Sequence, residues 1–221
     1  MRLIGSNRFS VTLNKVAGGG IHKARNNLAH EFLTNTNCER MLMVDSDMSF
    51  EPEQVARLWA HDADVIGGPY CHKKDELSWS ARAIEGITPD PVTKLQELSA
   101  VGTGFLMIKR GVFQKMIEAY PEQAYIEDWN EGTGMTKWDF FQEGVVTDDK
   151  FGYPKPTYVT EDFYFCLKAR RLGFKVLVDT TFYLKHWEGM NCYPKGEPGQ
   201  PPKGSPMQGP PRAIELQQFA A

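Results

Sequence analysis

The chain has 221 residues, 41% of them hydrophobic and 24% charged, and its 25 basic and 28 acidic side chains give a formal net charge of −3. This composition is typical of a folded globular protein, excludes intrinsic disorder as the main state and gives no general electrostatic reason to bind nucleic acid. No stretch approaches the roughly 18 consecutive apolar residues of a membrane span and the start lacks a secretory signal, so we expect a cytoplasmic protein.

The first third of the chain predicts helices and strands in alternation. Apolar residues recur at helical spacing over residues 21–32, directly after a glycine-rich turn. Residues 40–44 form an apolar run that ends in two acids, as expected of a strand buried on both faces of a parallel sheet. Pro52 fits the first turn of a second helix, and residues 63–66 predict another short strand. We therefore expect an α/β fold with a mixed, mostly parallel central sheet flanked by helices.

The middle of the chain is less regular. Residues 78–84 and 98–108 predict strands, the second one interrupted by Gly102-Thr103-Gly104, and a short helix is expected over residues 112–117. Residues 121–158 lack a clean period and are interpreted as a functional or mobile insertion.

The last third predicts one more helix and strand and then a segment without a core. The helix covers residues 161–172 after Thr160, and the strand covers residues 175–179. Proline and glycine dominate the end of the chain, so we expect one domain over residues 1–192 and a tail or flap over residues 193–221.

Two carboxylates stand two residues apart at the end of the first predicted strand, in Asp45-Ser46-Asp47. Ligands of open α/β sheets bind beyond the carboxyl ends of strands, so both acids are expected to face one crevice. Carboxylates this close repel each other unless a cation joins them, and hard oxygen ligands favour Mg²⁺ or Mn²⁺ shared with substrate phosphates. The alternative interpretation is an acidic turn that caps the Pro52 helix.

A second acidic pair, Glu161-Asp162, opens the helix after Thr160, and His186 follows an expected strand at residues 181–184. The dipole of the helix stabilises acids at its amino terminus, which is sufficient to explain them. If one carboxylate faces a cleft, it can accept the proton of an attacking hydroxyl. An imidazole can complete a Mn²⁺ shell that Asp47 begins.

In this order the motifs resemble those of the GT-A glycosyltransferases, especially the family 2-like enzymes of bacteria and viruses. Four segments, within roughly residues 20–189, carry the resemblance: Gly20 to Asn26, Met43 to Met48, Gly102 to Leu106 with Lys109-Arg110, and Thr160-Glu161-Asp162 with His186. The resemblance implies a Rossmann-like GT-A fold. It also implies metal-dependent transfer of a sugar from a nucleotide-diphospho-sugar, most often a UDP-sugar, to an acceptor hydroxyl.

The resemblance further implies roles for individual residues. It assigns nucleotide-sugar binding to Arg25, Asn26, Asp45, Ser46, Asp47, Gly102, Thr103 and Gly104. A Mn²⁺ or Mg²⁺ ion would be held by Asp45, Asp47 and His186. Asp162 matches the catalytic base of an inverting transfer, and Glu161 is its neighbour, which orients the acceptor or holds the loop. The motifs leave the acceptor open among glycans, lipids, proteins and nucleic acids.

Two other functions are compatible with the sequence. A sugar nucleotidyltransferase also uses acids and Mg²⁺ on a related sheet, although Gly18-Gly19-Gly20 lacks the basic signature expected of its phosphate loop. A degenerate transferase that binds nucleotide or carbohydrate without catalysis is the other. Members of the family usually have a strand and a helix before the Ala24-Arg25-Asn26 segment, whereas few residues precede it here. We therefore expect an abbreviated amino terminus, with an edge strand at residues 2–4 or 9–13 or with a more open nucleotide site.

Overall fold

A computed structural model describes residues 12–16, 20–73, 78–127, 134–182, 184–188 and 191–193. Residues 194–221 of the predicted tail and the edge strand predicted at residues 2–4 lie outside the described residues. Of the alternative edge strand at residues 9–13, only Thr12 and Leu13 are described, and they belong to no strand. In the described part of the chain no helix is both long and apolar enough to cross a membrane.

Four α-helices are described, and each lies where the sequence predicts a helix. They are α1 (Ile21–Asn35), α2 (Pro52–Ala60), α3 (Arg110–Ala119) and α4 (Glu161–Arg171). The strands are β1 (Arg40–Val44), β2 (Met48–Ser49), β3 (Val65–Gly67), β4 (Ala81–Ala83), β5 (Leu95–Val101), β6 (Phe105–Lys109), β7 (Ala124–Tyr125), β8 (Lys137–Trp138), β9 (Gly144–Asp148), β10 (Tyr153–Val159), β11 (Val176–Asp179), β12 (Lys185–Glu188) and β13 (Asn191–Tyr193).

Six strands form the central sheet in the order β1-β6-β3-β11-β5-β4. Among these strands only β3 and β11 pair in parallel, and the other four pairs are antiparallel. The prediction of a mostly parallel sheet is therefore wrong. β1, β3 and β11 do run in one direction, as alternating strands and helices require, but β6 runs the opposite way between β1 and β3. The apolar pattern of a strand does not specify which strand lies beside it, so the sequence did not reveal this insertion.

β1 lies at one edge of the described sheet. Its side chains are also less buried than expected of a strand that is covered on both faces. Met43 is the only one of its five residues that is fully buried, and Val44 is exposed. The strand is nevertheless held firmly in register, with Val44 opposite Phe105 and Arg40 opposite Lys109. This register fixes the position of the acidic residues that follow β1.

Helices cover both faces of the sheet, as predicted for an α/β fold. On one face Val65 and Ile108 pack in a core shared with α1, α3 and α4. On the other face Ile66 and Met107 pack with α2. Successive side chains of a strand point to opposite faces, so the continuous apolar runs of β3 and β6 serve both cores at once.

Arg110 fixes the carboxyl-terminal end of α1. Its guanidinium donates hydrogen bonds to the carbonyl oxygens of Phe32 (2.8 Å), Leu33 (3.1 Å), Thr36 (2.9 Å) and Cys38 (2.9 Å). The last carbonyls of a helix have no partners within the helix, and this one side chain satisfies several acceptors there. α1 is thereby tied to the junction between β6 and α3.

The insertion predicted over residues 121–158 forms short strands that are anchored in the main core. Phe140 and Phe141 are buried, with Phe140 5.0 Å from Phe113 and Phe141 stacked 4.6 Å from Phe165 between ring centroids. Both rings therefore belong to the hydrophobic core. Trp129, another aromatic residue of the insertion, lies outside the described residues.

The strand predicted at residues 181–184 is not found there: the described residues Thr181, Phe182 and Leu184 belong to no strand. Asp179, which is fully buried, accepts hydrogen bonds from the backbone N–H (2.9 Å) and the hydroxyl (2.6 Å) of Thr181. A carboxylate that bonds to the backbone two residues on creates a local turn and competes with strand pairing. β12 therefore begins only at Lys185, and its register brings His186 opposite Met48.

Lys168 ties α4 to the insertion from within the protein. It is only 1% exposed, and its ammonium donates hydrogen bonds to Gln123 Oε1 (2.8 Å) and to the carbonyl oxygen of Asp139 (2.6 Å). Burial lowers the pKa of Lys168 to about 7, although the charges of Asp139 and Glu122 oppose this shift.

We expect Lys168 to make stability rise with pH from about pH 7 to about pH 10. The folded-state pKa lies below the unfolded value, so over this window the unfolded chain binds a proton that the folded chain does not. The contribution of Lys168 to the free energy of unfolding rises by up to about 1.4 kcal/mol per pH unit. Urea unfolding across this range measures it as the difference between wild type and Lys168→Met.

This difference isolates Lys168, because other buried groups that titrate at alkaline pH are the same in both proteins. Lys115→Met is the matched control, since Lys115 is an exposed lysine paired with Glu118 on α3. It should retain the pH dependence of the wild type. Parallel profiles for wild type and Lys168→Met would contradict the assignment.

Candidate active site

Asp45-Ser46-Asp47 forms a tight turn between β1 and β2. The backbone N–H of Met48 donates to the carbonyl oxygen of Asp45 at 3.1 Å, which is the i to i+3 bond of a β-turn. The N–H of Asp45 donates to the carbonyl oxygen of Gly104 at 3.1 Å. The acidic turn is therefore bonded directly to the glycine turn that precedes β6.

His186 lies beside this turn because β12 pairs with β2. Its partner in the register is Met48, and the N–H of Trp187 donates to the carbonyl oxygen of Asp47 at 2.8 Å. The Nε2 atom of His186 is 3.4 Å from Asp47 Oδ2. Two residues far apart in sequence are thus brought together by a three-stranded sheet formed by β13, β12 and β2.

The other ring nitrogen of His186 is engaged by the backbone. Its Nδ1 lies 2.9 Å from the carbonyl oxygen of Cys71, and since a carbonyl only accepts, Nδ1 carries the proton. Nε2 is therefore the ring nitrogen that faces Asp47, and it can act as a metal ligand when it carries no proton. Metal-binding histidines characteristically have their second nitrogen fixed by a carbonyl or carboxylate in this way.

Asp47 also forms an ion pair with a residue that the sequence analysis missed. The ammonium of Lys73 donates to Asp47 Oδ2, the same oxygen that faces His186. Partial burial raises the pKa of Asp47, but the hydrogen bond from Lys73 and the nearby His186 outweigh this effect and hold the pKa below its usual value. The second carboxylate oxygen, Oδ1, is buried and has no hydrogen-bond partner among the described residues.

Arg25 joins the first acid of the turn to the amino terminus of α4. Its guanidinium donates to both oxygens of Asp45 (3.2 and 3.3 Å) and, through its other terminal nitrogen, to Glu161. Only 7% of the Arg25 side chain and 9% of the Glu161 side chain are exposed. Burial and the adjacent Asp162 raise the pKa of Glu161, and Arg25 opposes the shift. Arg25, Asp45 and Glu161, which were predicted to belong to one site, are therefore in contact.

Asp162 is half-buried and lies next to Glu161 at the start of α4. Its Oδ1 accepts hydrogen bonds from the Thr160 hydroxyl (2.7 Å) and from the N–H of Phe163 (2.8 Å). Thr160 lies at the N-cap position of α4, but its hydroxyl bonds to Asp162 and makes no capping bond to the helix backbone. Asp162 is close enough to the buried hydroxyl of Tyr70 to affect its ionisation.

Tyr70, also missed in the sequence, fills the space left by two glycines. Its hydroxyl oxygen accepts the N–H of Gly104 at 3.2 Å, and its ring meets that of His186 edge to face, with 5.3 Å between centroids. Burial and the charges of Asp45 and Asp162 raise the pKa of Tyr70 to about 12. A neutral phenol therefore connects the glycine turn to the Asp47 and His186 pair.

Three residues predicted to bind the nucleotide sugar lie away from these contacts. Asn26 is buried and holds the insertion, since its amide donates to Asp139 (2.7 Å) and accepts the N–H of Phe141 (3.0 Å). Ser46 is exposed at the tip of the turn. Thr103 is fully buried, and its hydroxyl has no hydrogen-bond partner among the described residues.

A signal for Tyr70 and Lys73 was present in the sequence. Both follow β3, which runs in the same direction as β1. Ligand sites of α/β sheets gather residues beyond the carboxyl ends of several strands. The rule that singled out Asp45 and Asp47 after β1 therefore applies equally to the residues after β3.

The side chains at the turn fit a divalent cation with few protein ligands. Asp47 offers a carboxylate with one unpartnered oxygen, and His186 offers Nε2. Asp45 is bound by Arg25, and no group of three or more His, Cys, Asp or Glu suited to a metal ion occurs among the described residues. Mg²⁺ and Mn²⁺ commonly take their remaining ligands from substrate phosphates and water.

A pocket lies between α1 and β1 and ends at the acidic turn. Leu28 and Phe32 line it from α1, Met41 and Met43 line it from β1, and Arg25 and Asp45 close one end. Thr12, Leu13 and Asn14 border it as well. Thr36 and Arg40 line it too, so the cleft combines apolar walls with several polar groups, a lining that suits a ligand with both apolar and polar parts.

Comparisons with known proteins give a structural likeness and no match in sequence. No family model matches the chain, and no curated protein matches it. The crystal structure of A197 from STIV is among the solved structures that match. The match covers 77% of this chain and 69% of the A197 chain, with 16% identical residues and a TM-score of 0.43.

We expect Gly102→Ala to destabilise the site by about 1–3 kcal/mol, because overpacking a closely packed region forces its neighbours to move. A Cβ atom at Gly102 would lie 2.2 Å from Ser80 Oγ and 2.3 Å from the hydroxyl oxygen of Tyr70. Thermal or urea unfolding measures the loss. Gly111→Ala is the matched control, because a Cβ there meets nothing within 4 Å and alanine favours the helix. Equal stability of the two variants would refute the close packing around the glycine turn.

Proposed function

We propose that this protein is a metal-dependent glycosyltransferase that moves a sugar from a nucleotide-diphospho-sugar to an acceptor hydroxyl. The observation that carries the proposal is the pairing of Asp47 with His186, whose Nε2 is directed at the carboxylate while Nδ1 bonds to the carbonyl of Cys71. This is the arrangement of a small cation site that a diphosphate completes. Asp162 and Glu161 supply carboxylates on the neighbouring helix.

The reaction requires negative charge on the leaving diphosphate to be stabilised. A divalent cation held by Asp47 and His186 would act as a Lewis acid on the phosphate oxygens. Lys73, at the same turn, adds a positive charge from the protein. Arg25 pairs with both Asp45 and Glu161 and offsets part of their negative charge, which lowers the repulsion between these acids and an incoming diphosphate.

Asp162 is proposed as the general base of an inverting transfer. Its first oxygen is held by Thr160 and Phe163, which orients the carboxylate at the start of α4. Glu161 is held by Arg25, so the two adjacent acids have different environments. A carboxylate that takes the proton of the attacking hydroxyl makes that oxygen a better nucleophile.

The pocket beside Asp45 is proposed to bind the nucleoside. Its apolar walls suit a flat base, and the Asp45 carboxylate at its end suits the hydroxyls of a ribose. UDP-sugars are the preferred donor class in this proposal, since uridine is the commonest base among the enzymes that the sequence resembles.

We expect Asp47→Asn to abolish metal-dependent nucleotide binding and to reduce turnover of the sugar donor by about a hundredfold or more. The amide removes the charge that attracts the cation but keeps the size of the side chain. The measurement is a thermal-shift screen of UDP, GDP, CDP and dTDP, each with Mn²⁺ and with EDTA, since a ligand that binds only the folded state raises its stability.

Asp64→Asn is the matched control for this experiment. Asp64 is a half-exposed acid that pairs with Lys109 at 3.3 Å, and it should keep the response of the wild type. A Mn²⁺-dependent shift that survives in Asp47→Asn would reject Asp47 as the metal ligand. Saturable nucleotide binding that does not depend on Mn²⁺ and is unchanged in Asp47→Asn, without turnover of any sugar donor, would contradict the proposal. The protein would then be a non-catalytic binding protein.

We expect Asp162→Asn to separate catalysis from binding. The variant should keep the Mn²⁺-dependent nucleotide shift, because Asp162 is not among the proposed metal ligands, and should lose about 10²–10⁴-fold in donor turnover, the usual contribution of a general base. Release of nucleoside diphosphate from the sugar donor selected by the screen provides the rate. Unchanged turnover would exclude Asp162 as the base.

A further inference from the structure

We propose that Lys73 is an internal counter-ion that competes with the divalent cation for Asp47 and moves to the donor diphosphate when the cation binds. This inference rests on the proposed function. It adds that the binding of the metal and the binding of the diphosphate are coupled through one lysine. It starts from the observation that Lys73 and His186 face the same carboxylate oxygen, Asp47 Oδ2.

The backbone just before Lys73 is fixed at the site. The N–H of His72 donates to the carbonyl oxygen of Ser78 at 2.7 Å, and Cys71 forms a β-bridge with Trp79. The carbonyl of Cys71 accepts the hydrogen bond from His186. Cys71 and His72 are thus tied to the proposed metal ligand, and the proposed exchange of partners requires only the Lys73 side chain to move.

The Lys73 side chain has the room and the length to move. It is 26% exposed, and the Asp47 side chain is 35% exposed, so the ion pair lies at the open side of the turn. A lysine carries its charge on a flexible stem of four carbons, and its ammonium can change partners at low cost. Arg25, in contrast, is 7% exposed and held by two carboxylates.

A cation bound between Asp47 Oδ2 and His186 Nε2 competes with the ammonium of Lys73. Both positive charges then approach the same oxygen, and at such short separation they repel each other. Asp47 Oδ1 has no hydrogen-bond partner among the described residues, so it is available to bind the cation when the lysine leaves. The displaced ammonium then lies next to a divalent cation, where a diphosphate is the natural counter-charge for both.

This arrangement predicts thermodynamic coupling between the cation and the diphosphate. Without nucleotide, Lys73 weakens metal binding, because the metal has to break an ion pair. With nucleotide, Lys73 strengthens the complex, because it gains a phosphate partner. Coupling of this kind is reciprocal, so each ligand raises the affinity for the other by the same factor.

Lys73→Met tests the inference, because methionine keeps the apolar stem and removes the charge. We expect the variant to bind Mn²⁺ alone about 5-fold tighter than the wild type, as expected from removing a partly exposed ion pair. Electron paramagnetic resonance of free Mn²⁺ measures this without any enzymatic readout. At saturating Mn²⁺, we expect UDP, or whichever of GDP, CDP and dTDP the wild type binds, to bind about 5-fold or more weakly by calorimetry.

Two variants serve as controls. Lys73→Arg keeps the charge and should stay close to the wild type in both titrations. Lys115→Met removes a lysine from a remote exposed ion pair and should change neither affinity. Circular dichroism of Lys73→Met checks that the fold is intact.

The outcomes separate this inference from the proposed function. If the wild type binds Mn²⁺ through Asp47 but Lys73→Met has the same Mn²⁺ affinity, the competition is refuted and the metal site stands. If Mn²⁺ binds more tightly while nucleoside diphosphate binding is unchanged, the transfer of Lys73 to the diphosphate is refuted. If the wild type and Asp47→Asn both fail to bind Mn²⁺, the proposed function and this inference fall together.

Discussion

The buried guanidinium of Arg25 is the interaction on which the acidic site depends. Asp45 and Glu161 come from distant parts of the chain, and their negative charges would drive β1 and α4 apart without a shared cation. Arg25 has a planar fork of donors that can serve two carboxylates at once, which a lysine cannot do with the same geometry. Removing one member of such a buried ionic group leaves the others uncompensated, so all three are needed together. The charge balance at Arg25 therefore sets the distance between the acidic turn and the helix that carries Asp162.

The sheet supplies the rigidity that this charge cluster requires. β6 pairs with β1 on one side and β3 on the other, and its side chains serve the two hydrophobic cores alternately. The turn that leads into β6 is bonded to Asp45 through Gly104 and to Tyr70 through the same glycine. Small residues are required there because the Tyr70 ring occupies the space that Cβ atoms would fill at Gly102 and Gly104. The acidic turn is thus supported by backbone bonds from a strand in the middle of the sheet.

The two acids of the turn have different partners, and this difference is the basis of the proposed chemistry. Asp45 is neutralised by a buried arginine that is held in place. Asp47 lies near an imidazole and an exchangeable lysine, and one of its oxygens has no partner among the described residues. A carboxylate with exchangeable partners can accept a cation and a substrate, whereas one locked in a buried ion pair maintains the structure. This contrast supports our proposal of a metal at Asp47 and His186, with Asp45 on the nucleoside side of the site.

Local sequence determined the positions of the helices, the acidic turn after β1 and the pair of acids at the start of α4, because these depend on apolar periodicity and on residues adjacent in the chain. It also pointed to His186 as a partner for Asp47, through a resemblance of ordered motifs. Strand order and direction, the hydrogen bonds of Asn26 to the insertion, and the positions of Tyr70 and Lys73 near the acidic turn were decided only by the tertiary structure. These features depend on which elements become neighbours after folding, and a strand or a side chain carries the same local pattern whichever neighbour it meets. The sequence thus specified the chemical groups of the site, and the packing of β6 between β1 and β3 decided which of them meet.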